Sequence, residues 1–229
     1  MDELRKQGIF CPLNDQVVCP LLEENRRLKK EIGRLRELSQ TDPLTGLFNL
    51  RYLFRALEGE MERTRRVGLP TGLIMIDLDH FKDINDTYGH EFGNEALRRT
   101  SKVWKENIRR IDIPCRYGGE EFAIILPTTG LQQALSTANR LRNSLEKSAF
   151  YCDTERVRLT ASMGVEVYDK NEGDIPVKDF IKKADSFLLE AKAMGRNLVF
   201  YDKNRMDRKE DGITEEERQA LFIKRSRRT

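Results

Sequence analysis

The chain has 229 residues, of which 38% are hydrophobic and 34% charged, the composition of a soluble globular protein with a core large enough for one domain plus extensions. Its net charge of +3 arises entirely within Lys203 to Thr229, where nine basic residues face six acidic ones. The remainder sums to zero, which disfavours nucleic acid as a partner. No apolar run approaches the ~18 residues of a membrane span, and the N-terminus lacks a signal peptide's apolar stretch, so the chain is expected to be cytoplasmic. Its four cysteines, Cys11, Cys19, Cys115 and Cys152, form no C-x-x-C pair and read as reduced structural thiols.

Residues 1–20 hold two prolines and no usable periodicity. From 21 to 40 the pattern becomes heptad-like, with Leu21, Leu28 and Leu35 at d and Asn25 and Ile32 at a. Glu24 and Glu31 then fall at g, and Lys29 and Arg36 at e. A parallel dimer pairs each g residue with the partner's following e residue, and a single Asn at a fixes the register of a two-stranded coil. The segment is therefore expected to be a signalling and dimerisation helix of a homodimer, although Gly33 weakens it. Thr41-Asp42-Pro43 ends the helix, because the residue before proline avoids helical angles.

Residues 41–202 then alternate helical and extended patterns. Asn49 to about Val67 is helical, with Leu50, Leu53, Phe54, Leu57 and Met61 on one side. Leu73–Asp77 is an apolar strand, and Glu91–Arg110 a helix with Leu97, Val103, Trp104 and Ile108 toward a core. Ile113–Tyr117 and Phe122–Leu126 form a hairpin. Leu131–Lys147 is helical, Arg156–Val167 alternates as one strand, Pro176 opens a helix to about Met194, and Leu198–Tyr201 is a closing strand. This order predicts an α/β (α+β) ferredoxin-like fold, a central antiparallel sheet flanked by helices. Residues 203–229 are a charged tail in which Thr214-Glu215-Glu216-Glu217 reads as a capping box.

The chemistry concentrates at Arg116-Tyr117-Gly118-Gly119-Glu120-Glu121-Phe122. Two glycines allow a bulky anion to approach the backbone, and two adjacent acids follow where the second strand begins. Alternation sends their side chains to opposite faces. Like charges so close are costly unless a cation relieves them. Leu73-Ile74-Met75-Ile76-Asp77-Leu78-Asp79 is a second apolar strand ending in acids. Strand-end carboxylates from two places in the chain could meet around a divalent metal, with oxygen ligands and a phosphate partner of the kind Mg²⁺ prefers.

At these residues the sequence resembles the GGDEF domain of diguanylate cyclases. Gly118-Gly119-Glu120-Glu121-Phe122 is similar to its signature in the GGEEF form. Asp77-Leu78-Asp79-His80-Phe81-Lys82 and Asn85-Asp86-Thr87-Tyr88-Gly89-His90 resemble its nucleotide-binding segment. Asp42-Pro43-Leu44-Thr45-Gly46-Leu47 resembles its opening motif and Ala191-Lys192-Ala193-Met194-Gly195-Arg196-Asn197 its closing one. The resemblance spans about Thr41 to Tyr201, with the motifs in family order. It implies an enzyme that joins two GTP into cyclic di-GMP with release of two pyrophosphates, dependent on Mg²⁺ with Mn²⁺ as a substitute. Asp77 and Glu121 would hold the metal with help from the Leu78 carbonyl. Glu120 would take the hydroxyl proton or support the same metal. Lys82, Lys192 and Arg196 would bind phosphates, with backbone donors around His80 and Phe81 and close approach at Gly118 and Gly119.

Asn85 matches the family's guanine-contacting asparagine, but the second contact, ordinarily an aspartate after Gly93, is here Asn94. An amide offers one acceptor and one donor, which suits adenine better than guanine. Strict guanine choice is thus open to two alternatives, a promiscuous purine cyclase giving mixed cyclic GMP-AMP products and a weakly active domain that binds GTP or cyclic di-GMP. Arg109-Arg110-Ile111-Asp112 resembles the family's RxxD inhibitory site, which implies that Arg109 and Asp112 bind product as a feedback ligand. A polymerase-like palm shares the metal logic but lacks a basic groove.

Overall fold

Strand β1 (Thr71–Leu78) is buried at every position, because it is the sheet's centre. The computed structural model describes residues 20–38, 40–203 and 205. Contacts divide the chain into two units, 1–40 and 41–229. In the first, helix α1 spans Pro20–Leu38, with Leu28 and Ile32 about half exposed. In the second, the order is α2 (Leu50–Val67), β1, α3 (Phe81–Glu106), β2 (Ile113–Gly118), β3 (Glu121–Leu126) and α4 (Leu131–Lys147). There follow β4 (Phe150–Cys152), β5 (Glu155–Val157), β6 (Ala161–Tyr168), α5 (Val177–Ala193) and β7 (Val199–Phe200).

The five-stranded sheet runs β2-β3-β1-β6-β7. β1 pairs antiparallel with β3 and β6, and only β7 joins in parallel. The β1-α3-β2-β3-α4-β6 path is the ferredoxin-like βαββαβ unit that the element order predicts. Side-chain alternation divides the core between two faces. Ile74, Ile76 and Leu78 pack with Trp104 of α3 and Leu141 of α4, whereas Leu73 and Met75 pack with Leu57 of α2 and Phe180 of α5. Trp104 meets Phe122 edge-on, with ring centroids 5.0 Å apart.

Three elements differ from the sequence expectation. The helix expected over Glu91–Arg110 is present but ends at Glu106, and an unexpected helical stretch from Phe81 precedes it, the two being joined as α3. It bends at Gly89, whose φ of 84° and ψ of 160° interrupt the helical period. Polar Asn85, Asp86 and Thr87 lower helix propensity in just that stretch. The single strand expected over Arg156–Val167 is two: β5 pairs with β4 in a small separate hairpin, and β6 lies in the main sheet. β6 is buried throughout rather than alternating, since helices cover both faces of it. β1 starts at Thr71, two residues early. Cys11, Cys19 and the capping box at Thr214 lie outside the described residues. Cys115 and Cys152 are free thiols, the former so buried that its pKa is pushed up to about 12.

Candidate active site

Register decides which acids meet. Asp77 of β1 stands directly opposite Glu121 of β3. By the parity that places Met75 and Ala123 in the α2/α5 core, both acids project toward α5. There Lys192, on the last turn of α5, puts Nζ 2.8 Å from Asp77 Oδ2. Burial raises the pKa of Asp77 above its ordinary value. Lys192 opposes this, and the charges of Glu120 and Asp79 reinforce it. Glu121 is likewise raised, first by burial and then by Asp77.

Glu120 is not a strand residue, contrary to the expectation of two acids on alternate strand faces. Gly118 pairs with Glu121, so Gly119 and Glu120 form the turn, with Gly119 at φ 50°. The pairing shifts between Arg116 and Gly118, leaving Tyr117 as an extra residue that tightens the local twist. The Leu78 amide, at the end of β1, donates to the Glu120 carbonyl at 3.4 Å, tying this turn to the strand beside it.

Arg116, which carried no assigned role in the sequence reading, fixes the turn from below. Its Nε and Nη2 donate to the Gly119 carbonyl at 2.9 and 2.7 Å, and its Nη1 lies 3.2 Å from both carboxylate oxygens of Asp42. Asp42 also accepts from the Thr45 amide and hydroxyl at 2.8 and 2.7 Å. Burial pushes the Asp42 carboxyl up, but the Thr45 bonds and Arg116 outweigh it and hold it below the usual carboxylate range. The opening motif is thus a turn docked on the edge of β2, where Arg116 N donates to Phe48 O at 2.8 Å.

Asp79 is a second residue the sequence left without a role. It is buried and accepts from Ser162 Oγ at 2.6 Å, Thr160 Oγ1 at 2.8 Å and the Asn197 amide at 3.0 Å. Those bonds join β1, β6 and the loop after α5, where Gly195, Arg196 and Asn197 all have positive φ. Nothing in periodicity could reveal this, because its partners lie far along the chain.

The residues expected on phosphate surround this corner. His80 caps α3 in the left-handed region, at φ 55°, and its Nδ1 lies 3.2 Å from Asp83 Oδ2. Phe81 is buried as the first helical residue, so the expected loop amides are those of a helix N-terminus, which favours anions. Lys82 and Arg196 are exposed. Lys192, also expected on phosphate, is ion-paired with Asp77. A cleft of about 680 Å³ lined by His80, Asp83, Tyr88, Arg156 and Arg196 opens alongside. Asn85 is half-buried on the first part of α3, against Gly93, and Asn94 beside it is exposed.

Among the described residues, no three His, Cys, Asp or Glu side chains are already gathered as a metal cluster. The donor set nonetheless fits Mg²⁺, which keeps several waters and takes one or two carboxylates plus phosphate oxygens. Asp77, Glu120 and Glu121 repel one another around one lysine, an excess of negative charge that a divalent ion would relieve.

Away from this corner, Asp112 is buried and its Oδ2 accepts from the Arg109 amide at 2.8 Å, while Oδ1 has no partner among the described residues. Burial raises its pKa against the charges of Arg109 and of Arg140 on α4. Arg140, whose Nε donates to the Asn107 carbonyl at 2.9 Å, is a neighbour that the sequence reading missed because α4 is distant in the chain.

A ferredoxin-like sheet thus presents paired acids beside a hairpin turn and a helix N-terminus. The chain belongs to the GGDEF family: the family described as diguanylate cyclase, GGDEF domain, matches residues 39–198. It is similar to the response regulator PleD of Caulobacter vibrioides, with 42% identity over 174 residues, 75% of this chain and 38% of that protein. It is also similar to the diguanylate cyclase VdcA of Vibrio cholerae, with 38% identity over 82% of this chain and 54% of that protein. The chain thus spans less than two thirds of these curated relatives. Among solved structures, diguanylate cyclase SiaD of Pseudomonas aeruginosa in complex with its activator SiaC superposes with a TM-score of 0.68 at 34% identity, over 87% of this chain and 73% of that one. No helix among the described residues is long and apolar enough to cross a membrane.

Proposed function

We propose that this chain is a diguanylate cyclase that condenses two GTP into cyclic di-GMP and two pyrophosphates as a homodimer. The observation that carries the reading is the register that sets Asp77 against Glu121, with Lys192 on the same carboxylate. Asp77 and Glu121, with Glu120 beside them, would hold Mg²⁺, which when bound neutralises the triphosphate and acidifies the attacking hydroxyl. The chain's own groups do the rest. Amides at the start of α3 and Lys82 and Arg196 orient the phosphates, and Glu120 takes the proton as each 3′-oxygen bonds to the other nucleotide's α-phosphorus. The bond to the bridging oxygen breaks and pyrophosphate leaves. Asn85 and Asn94 face the base. Each chain supplies one half-site, and twofold pairing through α1 heptads brings two together.

Product feedback fits the second corner. Arg109 and Arg140 offer cations, and Asp112 Oδ1 is a buried acceptor with no partner among the described residues, suited to guanine N–H donors. The test is incubation with Mg²⁺ and GTP, ATP or both, with products resolved by mass spectrometry. Cyclic di-GMP supports the reading. A mixed cyclic dinucleotide in quantity would favour the promiscuous reading that Asn94 raises, and no cyclic product under any condition would favour a binding domain.

A further inference from the structure

A β-carbon built on Gly93 would lie 1.9 Å from Asn85 Oδ1 and 3.0 Å from its Cγ, with Phe81 Cζ next at 3.4 Å. The Asn85 carboxamide therefore rests on the bare backbone of Gly93, across the bend at Gly89 that folds the first part of α3 against the second. The Asn85 side chain has no hydrogen-bond partner among the described residues, and it is only half-buried. Its donor and acceptor are consequently free for a ligand, while packing alone fixes where they point. Gly93 itself is buried within the helix and does not have positive φ.

From this contact we infer that Gly93 is a positioning residue for base recognition: its missing side chain is the seat that holds the Asn85 amide toward the nucleotide. The inference rests on the reading above, in which Asn85 faces the base. The geometry makes a specific demand. The atom in conflict is the far end of a flexible side chain, so a methyl at 93 is accommodated by rotating Asn85 rather than by moving the helix. Alanine is also the better helix former. Gly93→Ala should therefore keep or raise thermal stability while it turns the recognition group away.

The experiment compares the full-length parent, Gly93→Ala, Asn85→Ala and the double variant in melting temperature and in steady-state kinetics on GTP and ATP. Misplacing one hydrogen-bonding group predicts about a tenfold rise in KM for GTP in Gly93→Ala. Its kcat should stay within about twofold, ATP should be nearly unaffected, and the melting temperature should not fall. In the Asn85→Ala background the second substitution should add nothing, since its target is gone. Equal KM in Gly93→Ala and parent, an equal loss in both backgrounds, or a clear drop in melting temperature would each overturn the inference. If the parent neither binds nor converts GTP, the reading of the site fails instead. The Asn85 side-chain amide resonances then decide the matter: a shift in Gly93→Ala supports the seat, and unmoved signals refute it.

Discussion

Replacing Arg116 tests whether the hairpin turn is held by one guanidinium. In Arg116→Ala two bonds to the Gly119 carbonyl are lost, at 2.9 and 2.7 Å. The carbonyl lies at an exposed turn and can be rehydrated, so their net loss is about 1–1.5 kcal/mol. The contact with Asp42 is lost as well, between side chains only 16% and 17% exposed. This lies between a surface pair, worth about 0–1 kcal/mol, and a fully buried one, and Asp42 keeps its Thr45 bonds, so about 1–1.5 kcal/mol is reasonable. The sum of about 2–3 kcal/mol corresponds to a melting temperature lower by roughly 5–10 °C. Arg116→Lys should recover less than half of it, because one ammonium cannot serve Gly119 and Asp42 together. The turn carries Glu120 and leads into Glu121, so kcat should fall about ten- to a hundredfold in Arg116→Ala. Urea unfolding with steady-state kinetics measures both. An Arg116→Ala protein within about 0.5 kcal/mol of the parent, or a lysine variant equal to it, would refute the clamp.

Glu121→Gln should raise the melting temperature in EDTA at pH 7 while abolishing cyclisation and any stabilisation by added Mg²⁺. The sign follows from Glu121's raised pKa, caused by burial and by Asp77. Its contribution to stability is present below the unfolded value near 4.3 and is lost as pH rises through the folded value, so the advantage of the variant should shrink toward about pH 4. A variant less stable than the parent in EDTA would contradict this account. Asn94→Asp should increase the fraction of cyclic di-GMP formed from mixed GTP and ATP, and an unchanged product ratio would show that position 94 does not read the base. Arg140→Ala and Arg109→Ala should each weaken inhibition by cyclic di-GMP with initial rates preserved; equal inhibition in parent and variants would remove the feedback site. Leu28→Lys, on an exposed face of α1, should lower activity at dilute protein, and full activity from a monomeric parent would remove the need for the coil.

Much of this protein's local structure is legible in its sequence. The apolar runs and turn residues locate the elements: Leu131–Lys147 is the helix its periodicity indicates, and Asn49 caps α2 through a bond from Tyr52 N to its Oδ1 at 3.0 Å. Acids at strand ends and glycines at a turn mark Asp77, Glu120 and Glu121 because short-range chemistry is written in adjacent residues. The bend at Gly89 was not readable, since it gains its meaning from the crossing that brings Asn85 onto Gly93. Strand register was not readable either. One residue of slip would have turned Glu121 away from Asp77, and only the pairing of β1 with β3 decides against it. Arg116 on Asp42, Asp79 on Asn197 and Arg140 near Asp112 follow the same rule. Sequence sets local propensity and the supply of charged groups, whereas the partners of those groups, distant along the chain, are chosen by how the sheet and helices close.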